Sequence, residues 1–97
     1  MLAYLLWHRP RPGVDVAGYE RDLVEFLRLV AEARPDGFLG CGSSRIEGAT
    51  WSAPDGAGYE DWYLLEGSFG MDLLNDAAVS GPCRAPHRRV AAAATGT

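Results

Sequence analysis

Between Asp15 and Arg34 the apolar side chains return in steps of four and three: Tyr19, Leu23, Phe26, Val30 and Ala33, with Leu27 beside them. That period lays them along one stripe of an α-helix, and Arg21, Glu25, Arg28 and Glu32 take the opposite face at ion-pairing spacing. Pro35-Asp36-Gly37 ends the helix. An apolar stripe has to be buried against a second layer. A chain of 97 residues is one domain by length, residues 1–97, so the second layer must come from the flanking segments.

Those segments read mostly as strands. Leu2 to His8 is a continuous apolar and aromatic run closed by Arg9-Pro10-Arg11-Pro12-Gly13, which predicts a strand buried on both faces. Gly37 to Ile46 alternates weakly, with Phe38, Gly40 and Gly42 on one side, as in a strand approached closely on its glycine side. Glu47 to Gly58 is a turn-rich loop holding Trp51. Tyr59 to Glu66 is a second strong strand, with Tyr59, Asp61, Tyr63 and Leu65 on one face and Glu60, Trp62, Leu64 and Glu66 on the other. Ser68 is placed to cap a helix from Phe69 to about Val79, whose apolar side is Leu73, Leu74, Ala77 and Ala78. Ser80-Gly81-Pro82 breaks it, and a short alanine-rich helix is expected from His87 to about Thr95, with Pro86 at its start.

Composition removes several kinds of chemistry. All nine basic residues are Arg, so there is no Walker-type phosphate loop and no lysine for a Schiff base or pyridoxal cofactor. A net charge of −4 and a pI near 5.0 argue against nucleic acid, which needs a basic face. Cys41 and Cys83 are too few for a four-thiolate zinc site, and reduced thiols in a cytoplasmic protein are the expectation. The apolar run Leu2 to Trp7 is too short for a membrane span and carries its positive charges on the wrong side for a signal peptide. His8 and His87 stand far apart with no His-x-His spacing, so no metal and no cofactor are expected.

The element order is strand, helix, strand, strand, helix, helix. Its compact arrangement sets the first and second strands parallel, with the third between them and antiparallel to both, and with helices on one face. An α+β chain of this order, with its aromatic first strand, resembles the ferredoxin-like dimeric α/β-barrel superfamily, in particular small antibiotic-biosynthesis-monooxygenase and EthD-like proteins. The resemblance covers nearly the whole chain through element order rather than a diagnostic motif. It implies a homodimer formed through the sheet, with one sheet face packed on helices and the other lining a cavity or the dimer contact, often for flat aromatic or polyketide-like molecules. The sequence departs from that pattern after the second helix, where a fourth strand is due and an alanine-rich helix stands instead. The fourth strand is therefore expected to be missing through truncation or supplied by a partner.

Candidate site residues follow from the topology. A register opposing His8 to Asp61, Leu6 to Tyr63 and Trp7 to Trp62 brings an acid to the histidine, and a register one step lower brings Glu60 there. A histidine beside a carboxylate is the minimal arrangement for proton transfer near neutral pH, with His8 as base and Asp61 as its orienter. The plainer alternative is a histidine at a strand end that is simply hydrogen-bonded or solvated. Trp7, Trp62 and Tyr63 are candidate wall residues, or simply core and dimer packing. Arg84, His87 and Arg88, with Arg89, crowd the start of the last helix, where an anion, or acids of the protein itself, would relieve them. Cys83 between Pro82 and Arg84 reads as the exposed thiol and Cys41 as a small buried hydrophobe. The expected function is binding, or cofactor-independent oxygenation, isomerisation or cyclisation, of a small apolar or aromatic molecule at the sheet edge. The rival is a non-catalytic dimerising interaction module.

Overall fold

A computed structural model describes residues 1–46 and 58–95. The loop expected from Glu47 to Gly58, with Trp51, lies outside the described residues apart from Gly58. The chain is α+β: β1 (Leu2–Pro10), α1 (Val16–Ala33), β2 (Phe38–Ile46), β3 (Gly58–Leu65), α2 (Phe69–Ala78), a 3-10 turn (Gly81–Cys83), α3 (Arg84–Ala93) and a two-residue β4 (Ala94–Thr95). Strand order is β2-β3-β1-β4, with β3 antiparallel to both β1 and β2. Among the described residues no helix is long and apolar enough to cross a membrane.

The helix periodicity translates directly. Asp15 caps α1 by accepting from the Gly18 amide at 3.1 Å, and Tyr19, Leu23, Phe26, Leu27 and Val30 are its buried stripe. Ala33, expected in that stripe, is exposed at the last turn. Ser68 makes no side-chain cap on α2, and there Leu74 is buried while Leu73 lies on the solvent side.

β1 is not buried on both faces. Its residues alternate, with Leu2, Tyr4, Leu6 and His8 turned to the helices and Ala3 and Leu5 exposed. The register is also two residues from the expected one: His8 opposes Tyr59, Trp7 opposes Glu60 and Leu6 opposes Asp61. A shift of two preserves the face of every side chain, whereas a shift of one would have exchanged the faces. The helix-facing side of the sheet is therefore Leu2, Tyr4, Leu6 and His8 of β1 with Tyr59, Asp61, Tyr63 and Leu65 of β3. Leu65 and Val30 are fully enclosed at the centre of this layer.

The fourth strand is present, as a stub. The alanine run carries a helix to Ala93 rather than Thr95, and Arg9 and Pro10 then pair with Thr95 and Ala94. Arg11 holds this junction, its amide donating to the Ala93 carbonyl at 2.8 Å and its Nε to the Ala94 carbonyl at 3.0 Å. α3 also starts earlier than expected, at Arg84, which places Pro86 in its first turn.

β2 carries an irregularity between Phe38 and Gly40, so Phe38 and Cys41 face the helices while Gly40 and Gly42 face the other way. The close approach on the glycine side comes from Trp62: a Cβ on Gly42 would stand 2.5 Å from its Cζ2. Gly42→Ala is thus expected to displace the indole and lower stability by about 1–3 kcal/mol. Denaturant unfolding with tryptophan emission checks this, and an unchanged midpoint would show that the ring moves aside freely.

Candidate functional site

His8 ends the helix-facing row of β1, one diagonal step from Asp61 on β3, within reach of a long side chain. His8 is 6% exposed and Asp61 4%, so neither is a solvated strand-end group. His8 Nε2 lies 2.8 Å from Asp61 Oδ2. The other ring nitrogen, Nδ1, is hydrogen-bonded to the Tyr19 hydroxyl from the first turns of α1. With the carboxylate accepting, Nε2–H is the donor on that side, and the Tyr19 hydroxyl shares the hydrogen bond at Nδ1. Burial, and then the nearby Asp61 carboxylate, push the Tyr19 hydroxyl well above the usual tyrosine range, so it keeps its proton.

A second tyrosine closes the outer side of the ring. Tyr59, which opposes His8 across the ladder, stacks on the imidazole with centroids 5.6 Å apart and planes 18° apart. Its hydroxyl donates to Glu20 Oε1 at 2.6 Å. Burial and that hydrogen bond hold its pKa at about 12. Glu20 also pairs with Arg45 of β2 at 3.2 Å, so α1 and the sheet are clamped on this flank.

Both histidine nitrogens are thus engaged. The atom left over is Asp61 Oδ1, which is buried and has no hydrogen-bond partner among the described residues. A buried acceptor without a donor costs about 1–3 kcal/mol. Asp61 and His8 form part of the wall of a cavity of about 200 Å³ between the sheet and the three helices. Apolar side chains dominate the rest of it, among them Leu6, Leu23, Phe26, Leu74 and Val90, with Tyr63 on the sheet side. Burial, then Asp61, raise the Tyr63 hydroxyl far above its ordinary range. His87 of α3 reaches the same cavity and packs on Phe26 with centroids 5.5 Å apart. Asn75 and Ala91 line it while remaining exposed, which puts the mouth between α2 and α3.

The structure therefore brings together four of the expected site residues, His8, Asp61, Tyr63 and His87, inside the fold rather than at the sheet edge. Trp7 and Trp62 stand on the opposite face of the sheet, where Trp7 Nε1 donates to Glu60 Oε2 at 2.8 Å and Trp62 lies over the β2 glycines. Alternation separates them from His8: odd positions of β1 and even positions of β3 share the face opposite the helices. Arg84 and Arg88 line a separate shallow depression with Gly81, Ala85 and Arg89 and are exposed. Arg89 is paired with Asp22 and Glu25 of α1, each at 3.3 Å, so protein acids already answer part of that basic cluster. Cys83 is enclosed at 1% exposure, and burial and then Glu32 push its thiol up, contrary to the exposed, activated thiol expected beside Arg84. Cys41 is only partly buried; its thiol donates to the Leu27 carbonyl at 3.6 Å.

The residue missed by sequence reasoning is Tyr19. It was legible only as a member of the α1 stripe, yet it is the member of that stripe with a hydroxyl. A polar tip at the start of an apolar face needs a partner, and His8 supplies it. No protein-family model, curated protein or solved structure matches this chain.

Proposed function

We propose that the cavity between the sheet and the helices is an acid–base site that isomerises a small, largely apolar molecule by moving a proton, without a cofactor. The observation that carries this reading is Asp61, a residue of the wall of an apolar cavity whose buried Oδ1 has no donor among the described residues. It exchanges the two roles expected from sequence. Asp61 is the base and the group that touches substrate, and His8 is a positioning residue whose Nε2–H fixes Oδ2 while Tyr19 fixes the ring. In the step, Asp61 takes a proton from a carbon next to a carbonyl, the C–H electron pair becomes the C=C of the enolate, and the carbonyl π pair moves onto oxygen. The same proton then returns to the oxygen, or to another carbon. Nothing is oxidised or reduced.

In support, the element order and the strand order β2-β3-β1-β4 agree with the ferredoxin-like pattern. Deuterium exchange into the α-carbons of cyclohexanone and phenylacetone, followed by NMR in heavy water, tests the reading. The wild-type protein should exceed the buffer rate, with Asp61→Asn lowering the excess about 100-fold and His8→Phe less. Exchange at the buffer rate with both ketones, or equal rates for wild type and Asp61→Asn, would overturn it.

The sheet face opposite the helices favours a second, compatible reading, a homodimer. Among the described residues Leu5, Trp7 and Trp62 stand there with Arg9 and Glu60, opposite charges able to pair across a two-fold axis. Sedimentation equilibrium of the wild type and of Leu5→Arg should show a dimer and a monomer respectively. A monomeric wild type removes this reading and leaves the cavity untouched.

A further inference from the structure

The cavity wall also specifies the charge and hydrogen-bonding character of what enters. Among the described residues, the buried side-chain acceptor without a donor belongs to a wall residue, Asp61, through its Oδ1. No Arg lines it among the described residues, because Arg84, Arg88 and Arg89 border a different depression. An anionic ligand would meet a carboxylate with no cation to offset it. A cationic ligand would have to leave water for a wall made mostly of Leu, Phe, Val, Ala and Tyr, against a carboxylate already held by the His8 N–H. A neutral molecule with an O–H or N–H donor meets neither penalty and satisfies the orphaned oxygen.

Resting on the reading of this cavity as a binding site, we propose that its ligand is a neutral hydroxyl or N–H compound that donates to Asp61 Oδ1, and that carboxylates are rejected. Size narrows the class further. An apolar cavity of about 150 Å³ accommodates benzene, so about 200 Å³ suits a ring with one or two substituents. The enol of a small cyclic ketone belongs to this class, and its hydroxyl would hold the oxygen that takes part in the proton shift.

Three probes of nearly equal shape separate the possibilities: p-cresol, p-xylene and 4-methylbenzoate. Binding is read from amide shifts of the full chain at Tyr63, His87 and Val90. In wild type p-cresol should bind at least about tenfold tighter than p-xylene, although xylene is the more apolar, and 4-methylbenzoate should bind weakest. In the double variant His8→Leu/Asp61→Leu the order of cresol and xylene should reverse. Equal affinity for cresol and xylene in wild type overturns the donor assignment while leaving the cavity as a binding site. Tightest binding by 4-methylbenzoate overturns it in favour of the exposed arginines. Failure of all three to shift these amides overturns the cavity reading itself, and the ligand class with it.

Discussion

His8→Leu is expected to lower folding stability by about 3–5 kcal/mol, because the change leaves a carboxylate buried with neither oxygen satisfied. It also strands the Tyr19 hydroxyl, whose hydrogen-bond partner is His8 Nδ1. Domains of this size hold about 5–15 kcal/mol in total, so the melting temperature should fall by on the order of 15 °C. Leucine fills much the same volume as histidine, so lost packing is not the main term. The sharper expectation concerns the double variant. Replacing both members of a buried pair by apolar residues removes the unpaired charge along with the pair, so His8→Leu/Asp61→Leu should be more stable than His8→Leu alone. A double-mutant cycle from denaturant unfolding measures this. A loss under about 1 kcal/mol for His8→Leu, or strictly additive effects, would mean that water reaches the pair and that the enclosed site does not exist.

How far the site could be read in advance follows from what each prediction rested on. α1 was legible because a 3.6-residue period persists over five turns and one capping Asp stands at its start. Strand existence was legible too, but strand register was not. Register is decided by which side chains pack across the ladder, here Tyr59 stacked on His8, and no local pattern records that. The reading of His8 with Asp61 survived the error because the slip was by two residues, and parity alone determines the face. The same parity places Trp7 and Trp62 with Glu60 on the far side, so alternation already held the information that separates them from the histidine. β4 was hidden because four consecutive alanines favour helix, while the two residues that leave it are held by the Arg11 contacts to Ala93 and Ala94. Cys83 misled because a neighbouring arginine in sequence is not a neighbour in space: Arg84 is exposed at the helix start, and the charge that bears on the enclosed thiol is Glu32. The orphaned Oδ1, on which the function rests, is a property of the assembled wall and has no sequence signature.

Alkali should unfold this protein steeply, and its composition makes the cause unusually easy to isolate. With every basic residue an arginine, no lysine titrates, and guanidinium groups keep their protons. What titrates is a set of hydroxyls and thiols, buried except for the partly buried Cys41: Tyr19, Tyr59 and Tyr63, all raised above the ordinary 10.0, and Cys41 and Cys83, both raised above 9.0. In the unfolded chain these groups ionise at their ordinary values, so above pH 9 to 10 the unfolded state holds fewer protons than the native one. Stability therefore falls as pH rises, each group adding up to about 1.4 kcal/mol per pH unit until its native value is reached, which for Tyr59 is about 12. Below about pH 9 these groups are protonated in both states and contribute no slope. The three tyrosines together give a slope approaching about 4 kcal/mol per unit between pH 10 and 12, enough to exhaust a marginal domain, and the thiols add to it from about pH 9. Far-ultraviolet circular dichroism and tyrosinate absorbance should change together in one cooperative step. Tyr63→Phe should make the fall shallower by about 1.4 kcal/mol per unit, since it removes one titrating hydroxyl from the cavity wall. Tyrosinate appearing well before the secondary structure is lost would show that these hydroxyls reach solvent in the native state, and would count against the burial of the residues around Asp61.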